Sequence, residues 1–189
     1  GVFSNFIVDG IKEAELTKGG YNADYGGRLS SVLNVVSREG NSKEIKLKMS
    51  ASLLSTQATI EGPSYNGAYI ISARRTYFDK VNDWFIKSDA IPPYYFYDLQ
   101  AHIYTDINET DRISLSHYSG KDDFKFSGLG LNAIWGNNTN SIHYRKVFGT
   151  GFIGNAMIAN SKFFTNFNLG GESGINNDNL ISDNTLKLD

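Results

Sequence analysis

From Lys43 onward, apolar and polar residues alternate with a period of two. Ile45, Leu47, Met49, Ala51 and Leu53 stand against Lys46, Lys48, Ser50 and Ser52. That order puts every apolar side chain on one face of a strand. Tyr97, Leu99, Ala101 and Ile103 alternate in the same way with Asp98, Gln100, His102 and Tyr104, as do Ile113 and Leu115 with Arg112, Ser114 and Ser116. Further strands are expected over 58–61, 68–78, 131–148 (with a weak point at Gly136-Asn137-Asn138), 152–167 and from 180 onward. The whole reads as about eight antiparallel strands.

Residues 1–42 follow a different pattern. Ile11–Leu16 suits a short helix or strand, Gly19-Gly20-Tyr21 and Tyr25-Gly26-Gly27 are turn signals, and Leu29–Ser37 reads as a strand closed by Arg38-Glu39-Gly40-Asn41. A small α+β piece over 1–42, followed by a β domain over 43–189, is expected.

Link lengths add to this picture. Short links are expected at 62–67, 107–111 and 149–151, and long ones at 79–94, 121–130 and 168–179. Transmembrane barrels show this asymmetry, with short turns at one end and long loops at the other. Aromatic groups at Tyr77-Phe78, Tyr94–Tyr97, Phe124, Phe126 and Phe163-Phe164 are expected at strand ends, where girdle rings belong. One apolar face also suits a soluble β-sandwich, which the pattern leaves open.

Composition narrows the classes. The 189 residues are 40% apolar, and no run approaches the ~18 apolar residues of a membrane helix. The mean hydropathy is −0.32, which still allows a barrel whose strands are apolar on one face only. Aromatics reach 13%, and Gly outnumbers Pro 19 to 3, which favours long β-strands. A net charge of −2 without a basic patch argues against nucleic acid. With no Cys, disulfides and thiol chemistry are excluded. No signal peptide is read at Gly1, and both ends read as cut, so an internal fragment is expected.

The segment Lys18-Gly19-Gly20-Tyr21-Asn22-Ala23-Asp24-Tyr25-Gly26-Gly27-Arg28, with the strand through Val35, resembles the last part of the plug in TonB-dependent outer-membrane receptors, above all those of the Bacteroidota. Ala58–Pro63, Ser72–Tyr77 and Tyr97–Gln100 are similar to the family's early barrel strands. The resemblance covers essentially the whole chain, with several segments in the family's order. It implies the C-terminal part of a plug followed by the first strands of a large antiparallel transmembrane β-barrel of about 22 strands. It also implies a place in the cell outer membrane, in contact with the lipid bilayer. The implied activity is uptake of a scarce extracellular ligand (iron chelate, vitamin, oligosaccharide or peptide) by energised plug displacement. TonB would act through a plug segment outside this chain. A non-transporting surface binder is the alternative.

Several residues are candidates for contact or chemistry. The plug turn would be Gly19, Gly20, Tyr25, Gly26 and Gly27, because Gly permits φ > 0 and close backbone approach. Arg74 and Arg75 must face opposite sides of a strand, and the inward one is expected to meet plug carboxylates Glu13, Glu15 or Asp24. Trp84, Phe85, Tyr94 and Tyr95 are candidates to stack on ligand, the other reading being loop packing or girdle rings. His102, His117 and His143 fall on separate strands without metal-ligand spacing, and Asp122-Asp123 reads as a solvated loop pair. No P-loop, dinucleotide fingerprint or catalytic signature occurs, so no enzyme, cofactor or metal is expected.

Overall fold

A computed structural model describes residues 7–19, 31–82, 84, 92–126, 128, 130–149, 151–170 and 174–189. After a 3-10 turn at Val8–Gly10 come two strands, β1 (Ile11–Lys18) and β2 (Ser31–Ser37). Eight more follow: β3 (Lys46–Ala51), β4 (Ser55–Ser64), β5 (Gly67–Thr76), β6 (Tyr94–Asp106), β7 (Asp111–Phe126), β8 (Leu131–Phe148), β9 (Phe152–Leu169) and β10 (Ile175–Leu188). One short helix, α1 (Phe78–Val81), follows β5.

The chain is mostly antiparallel β. β1 and β2 pair with each other, from Ile11 opposite Ser37 to Lys18 opposite Ser31. β3 to β10 form one sheet in simple sequence order, a meander. The sheet is open, with β3 and β10 at its two edges. The α+β expectation for 1–42 is met only by the 3-10 turn and two strands among the described residues.

The expected links change. Residues 121–126 continue β7, and β10 starts at Ile175, so the links are 127–130 and 170–174 rather than two long loops. Asymmetry between the two ends of the sheet therefore rests on one link, 77–93. The reason is cross-strand pairing. Asn168 bonds Asn176 and Asn166 bonds Asp178 across β9–β10, giving strand partners to residues that favour turns in isolation. Gly136-Asn137-Asn138 lies inside β8 without a break, and the Phe164 ring sits over Gly136. Phe163-Phe164 is thus mid-strand, not at a strand end. Gly62-Pro63 is strand too, with the turn at 65–66. Proline is tolerated there because β3 pairs β4 only as far as Glu61, so no ladder partner is missed.

The two faces of the meander differ. Alternate residues Leu47, Ile60, Ile71, Leu99, Ile103, Leu115, Ile142 and Ile158 share one face and are exposed, with Leu47 at 64%. The opposite face buries polar groups: Thr59, Ser72, Asp98 and Gln100 are all under 9% exposed. Against that polar face lies the 3-10 turn, in contact with β5. Ile7 is fully buried there, as is Ala68 on β5.

The apolar band on the outer face runs obliquely. On β3 to β6 it centres on the rung of Leu47, Ile60, Ile71 and Ala101. On β7 to β10 that rung is His117, Asn140, Asn160 and Asn184, and the apolar residues lie nearer the short turns, at Leu115, Ile142, Ile158 and Leu186. Phe148 and Phe152 pack together at the short-turn end, 5.5 Å between ring centroids.

The junction after β2 is fixed by its backbone. Gly40 has φ +88, and an added Cβ would collide with the Tyr69 carbonyl. Asn41 Oδ1 then accepts from the Lys43 and Glu44 amides at 2.8 and 3.2 Å, an Asx turn that starts the approach to β3. Gly40→Ala is expected to destabilise this junction by about 1–2 kcal/mol from the left-handed backbone alone, with the collision added. Amide exchange should show it as lost protection in β1–β2 and unchanged protection in β6–β8; equal protection throughout would contradict it.

Candidate functional site

The polar face carries three linked arrangements, each built by inward residues of neighbouring strands. The first seats the β1–β2 piece. Lys48 on β3 pairs with Asp9 at 2.6 Å, and Gln57 on β4 donates to the same carboxylate at 2.5 Å. Arg38, just past β2, donates to the Asp9 carbonyl at 2.8 Å and to Glu61 on β4 at 2.9 Å. Gln100 on β6 donates to the Gly10 carbonyl at 3.1 Å and lies 3.4 Å from Ser37 Oγ. Gly10 leaves room for this bond, since an added Cβ would stand 2.9 Å from the Gln100 amide oxygen and push the side chain aside. Finally, Arg112 on β7 holds Glu39 at 3.1 Å and Asp106 bidentately at 2.6 and 3.0 Å, with its guanidinium 4.1 Å over the Tyr104 ring.

The second arrangement is a buried ion pair. Arg74 on β5 grips the carboxylate of Asp98, its rung partner on β6, with Nε at 3.0 Å and a second, shorter bond from Nη2. Asp98 is 2% exposed. Tyr118 on β7 donates to its other oxygen at 3.0 Å. Gly120, opposite Asp98, makes room, since a Cβ would lie 2.8 Å from that carboxylate. Thr59 and Ser72 hydroxyls close the layer at 2.9 Å.

The third lies nearer the 77–93 link. Tyr94 and Phe96 of β6, Phe124 of β7 and Trp135 of β8 line an apolar cleft of about 370 Å³, with Phe78 of α1 at its side. The Tyr94 hydroxyl is turned to Asp122 at 2.6 Å.

Sequence-expected residues fall unevenly on this face. Arg74 points inward and Arg75 outward, as alternation requires. The carboxylate holding Arg74 is Asp98 of the neighbouring strand. Glu13 and Glu15 stand exposed on β1, with no ion pair to either arginine among the described residues. Arg75 lies 3.9 Å from Asp79 and 5.2 Å over Tyr95. Tyr94 lines the cleft, whereas Tyr95 is on the outer face with its hydroxyl 3.2 Å from Asp123. Trp84 is 64% exposed. Gly19 ends β1 with φ +77 and open space around it. Gly20, Asp24, Tyr25, Gly26, Gly27 and Phe85 lie outside the described residues.

Asp122-Asp123 corrects the expectation most clearly. Both are strand residues of β7, buried at 4% and 5%, each bonded by a tyrosine hydroxyl from β6. His102 faces inward beside Ser116 at 2.8 Å, and His117 faces outward to Asn140 at 2.7 Å. Sequence reasoning missed the seat residues Asp9, Arg38, Gln100 and Arg112. The alternation already put Gln100 and Arg112 on the polar face, and that was the available signal. Comparison with protein-family models, curated proteins and solved structures gives no match for this chain.

Proposed function

We propose that this chain is the plug-to-barrel section of a TonB-dependent outer-membrane receptor, with 1–42 as the end of the plug and 43–189 as the first barrel strands. The receptor takes up a scarce extracellular ligand by displacing the plug, and resides in the outer membrane. No enzymatic step, cofactor or metal enters this reading.

One observation carries it: the covered face of the meander buries Thr59, Ser72, Asp98 and Gln100 beside Ala68, Ile70 and Phe96, while the opposite face leaves a band of Ile and Leu exposed. A water-soluble sandwich does the reverse, burying its apolar face against a second sheet. Polar groups facing a filled lumen and Ile and Leu facing lipid give the observed order. The seat supports displacement. Beside the buried Ile7 and the buried Gln100–Gly10 bond, its contacts are partly exposed ion pairs, Lys48–Asp9 and Arg38–Glu61. Such pairs are worth about 0–1 kcal/mol each and weaken with salt. A plug so held parts from the wall at modest work.

Two measurements test the reading. Arg38→Ala and high salt should each speed amide exchange in β1–β2 several-fold in the lipid-inserted protein, leaving β6–β8 unchanged; equal rates would remove the separable seat. Cells carrying the receptor should accumulate ligand only while the proton-motive force is intact. Binding without accumulation would overturn transport in favour of a surface binder.

A further inference from the structure

We infer that the cleft at the loop end of the polar face is a recognition site for a planar aromatic group of the ligand; this rests on the receptor reading above and names the ligand class. Four rings converge there from three adjacent strands, Tyr94, Phe96, Phe124 and Trp135. They occupy two successive inward rungs: Phe96 with Asp122 and Trp135, and Tyr94 with Phe124 and Ala133. Ala133 is small where a third ring would otherwise stand. At about 370 Å³ the space falls within the range of small-molecule sites, ~300–1,000 Å³.

The chemistry of the walls selects the occupant. Polar groups beside the cleft are already engaged. The Tyr94 hydroxyl is bonded to Asp122. Thr76 Oγ1 accepts from the Phe96 amide at 2.9 Å and donates to the Phe96 carbonyl at 3.4 Å. A sugar ring brought here would lose its water without gaining partners for its hydroxyls. The rings are tilted to one another, Tyr94 against Phe96 at 46° with centroids 6.0 Å apart, and Tyr94 against Phe124 at 60° and 6.3 Å. Walls tilted in this way offer an incoming ring both edge-to-face and offset contacts, the arrangements aromatic pairs favour. Behind Phe96 the Arg74 guanidinium lies 4.8 Å from the ring centroid and is itself held by Asp98, which fixes the platform. Among the ligand classes open to such a receptor, one bearing an uncharged aryl group fits, and an oligosaccharide does not.

Trp135 is one of two tryptophans, so Trp84→Phe leaves it as the sole reporter. The full chain, refolded into lipid nanodiscs, is titrated with 4-nitrobenzyl alcohol, with cyclohexylmethanol and maltotriose as competitors and empty nanodiscs as the partition control. Saturable quenching of Trp135 is expected, unaffected by maltotriose and weakly opposed by cyclohexylmethanol. Phe96→Leu should weaken it at least five-fold. So should Leu54→Phe, which narrows the cleft from the exposed β3–β4 link and leaves the sheet intact if the first variant misfolds. Non-saturable quenching, equal affinity in Leu54→Phe, or competition by maltotriose would each overturn the aryl site. Insertion is scored separately by co-elution with the nanodisc. A chain that inserts without binding sinks the cleft alone, and one that folds as a stable, cooperatively melting monomer without lipid or detergent sinks the receptor reading.

Discussion

Arginine at position 71 is expected to destabilise the lipid-inserted protein by about 2–4 kcal/mol, whereas in a water-soluble protein the same change would be nearly silent. Ile71 is 41% exposed, at the centre of the apolar band on β5. In water, a half-exposed isoleucine on an open face has little to lose. In lipid, the guanidinium must be buried in hydrocarbon or drag water to it. Leu115→Arg, displaced along β7 toward the short turns by the obliquity of the band, should behave alike. His117→Arg, two residues further along β7 on the same face, should cost far less, because that rung is already polar on β7 to β10. Urea unfolding of the three variants in liposomes reads the differences directly. Three small and equal effects would mean that the outer face does not meet lipid.

Removing Arg74 should be comparably damaging, for a different reason. Arg74→Met leaves the Asp98 carboxylate, 2% exposed, with Tyr118 as a neutral donor and without its guanidinium. Orphaning one member of a buried pair costs about 3–5 kcal/mol. Replacing both, as Arg74→Met with Asp98→Leu, should recover most of the loss, since a well-filled apolar pair avoids the desolvation penalty altogether. The same unfolding assay decides it. A single variant within 1 kcal/mol of the parent, or a double variant worse than the single, would show that the pair is not the buried unit described. This prediction is independent of the first, because it concerns the covered face and holds in any solvent.

These expectations rest on a pattern legible in the sequence, up to a point. Period-two alternation placed the strands, put Arg74 and Arg75 on opposite faces and set His102 and Gln100 inward, because side-chain direction in a strand is fixed by parity. The ends of strands were less legible. The stretch 121–130 and the Asn- and Gly-rich stretch 168–179 read as loops, yet most of each is strand, since rungs such as Asn168–Asn176 supply partners that no local propensity encodes. Asp122 and Asp123 read as solvated for the same reason: the tyrosines that cover them come from another strand. The seat lay furthest from view. Asp9 meets Lys48 and Gln57, and Gly10 meets Gln100, across separations of 39 to 90 residues, and nothing near any one of these residues announces its partner.

The length of β8 and β9 has its own consequence. At 18 residues each they run for roughly 60 Å at ~3.3 Å per residue, while a tilted crossing takes only about 9–11 residues. On the receptor reading, the surplus would rise beyond the bilayer, with Asn132, Asn166 and Asn168 among its outward residues. A protease arriving there would meet strands already hydrogen-bonded to neighbours on both sides, and a strand so paired cannot add itself to a cleavage groove.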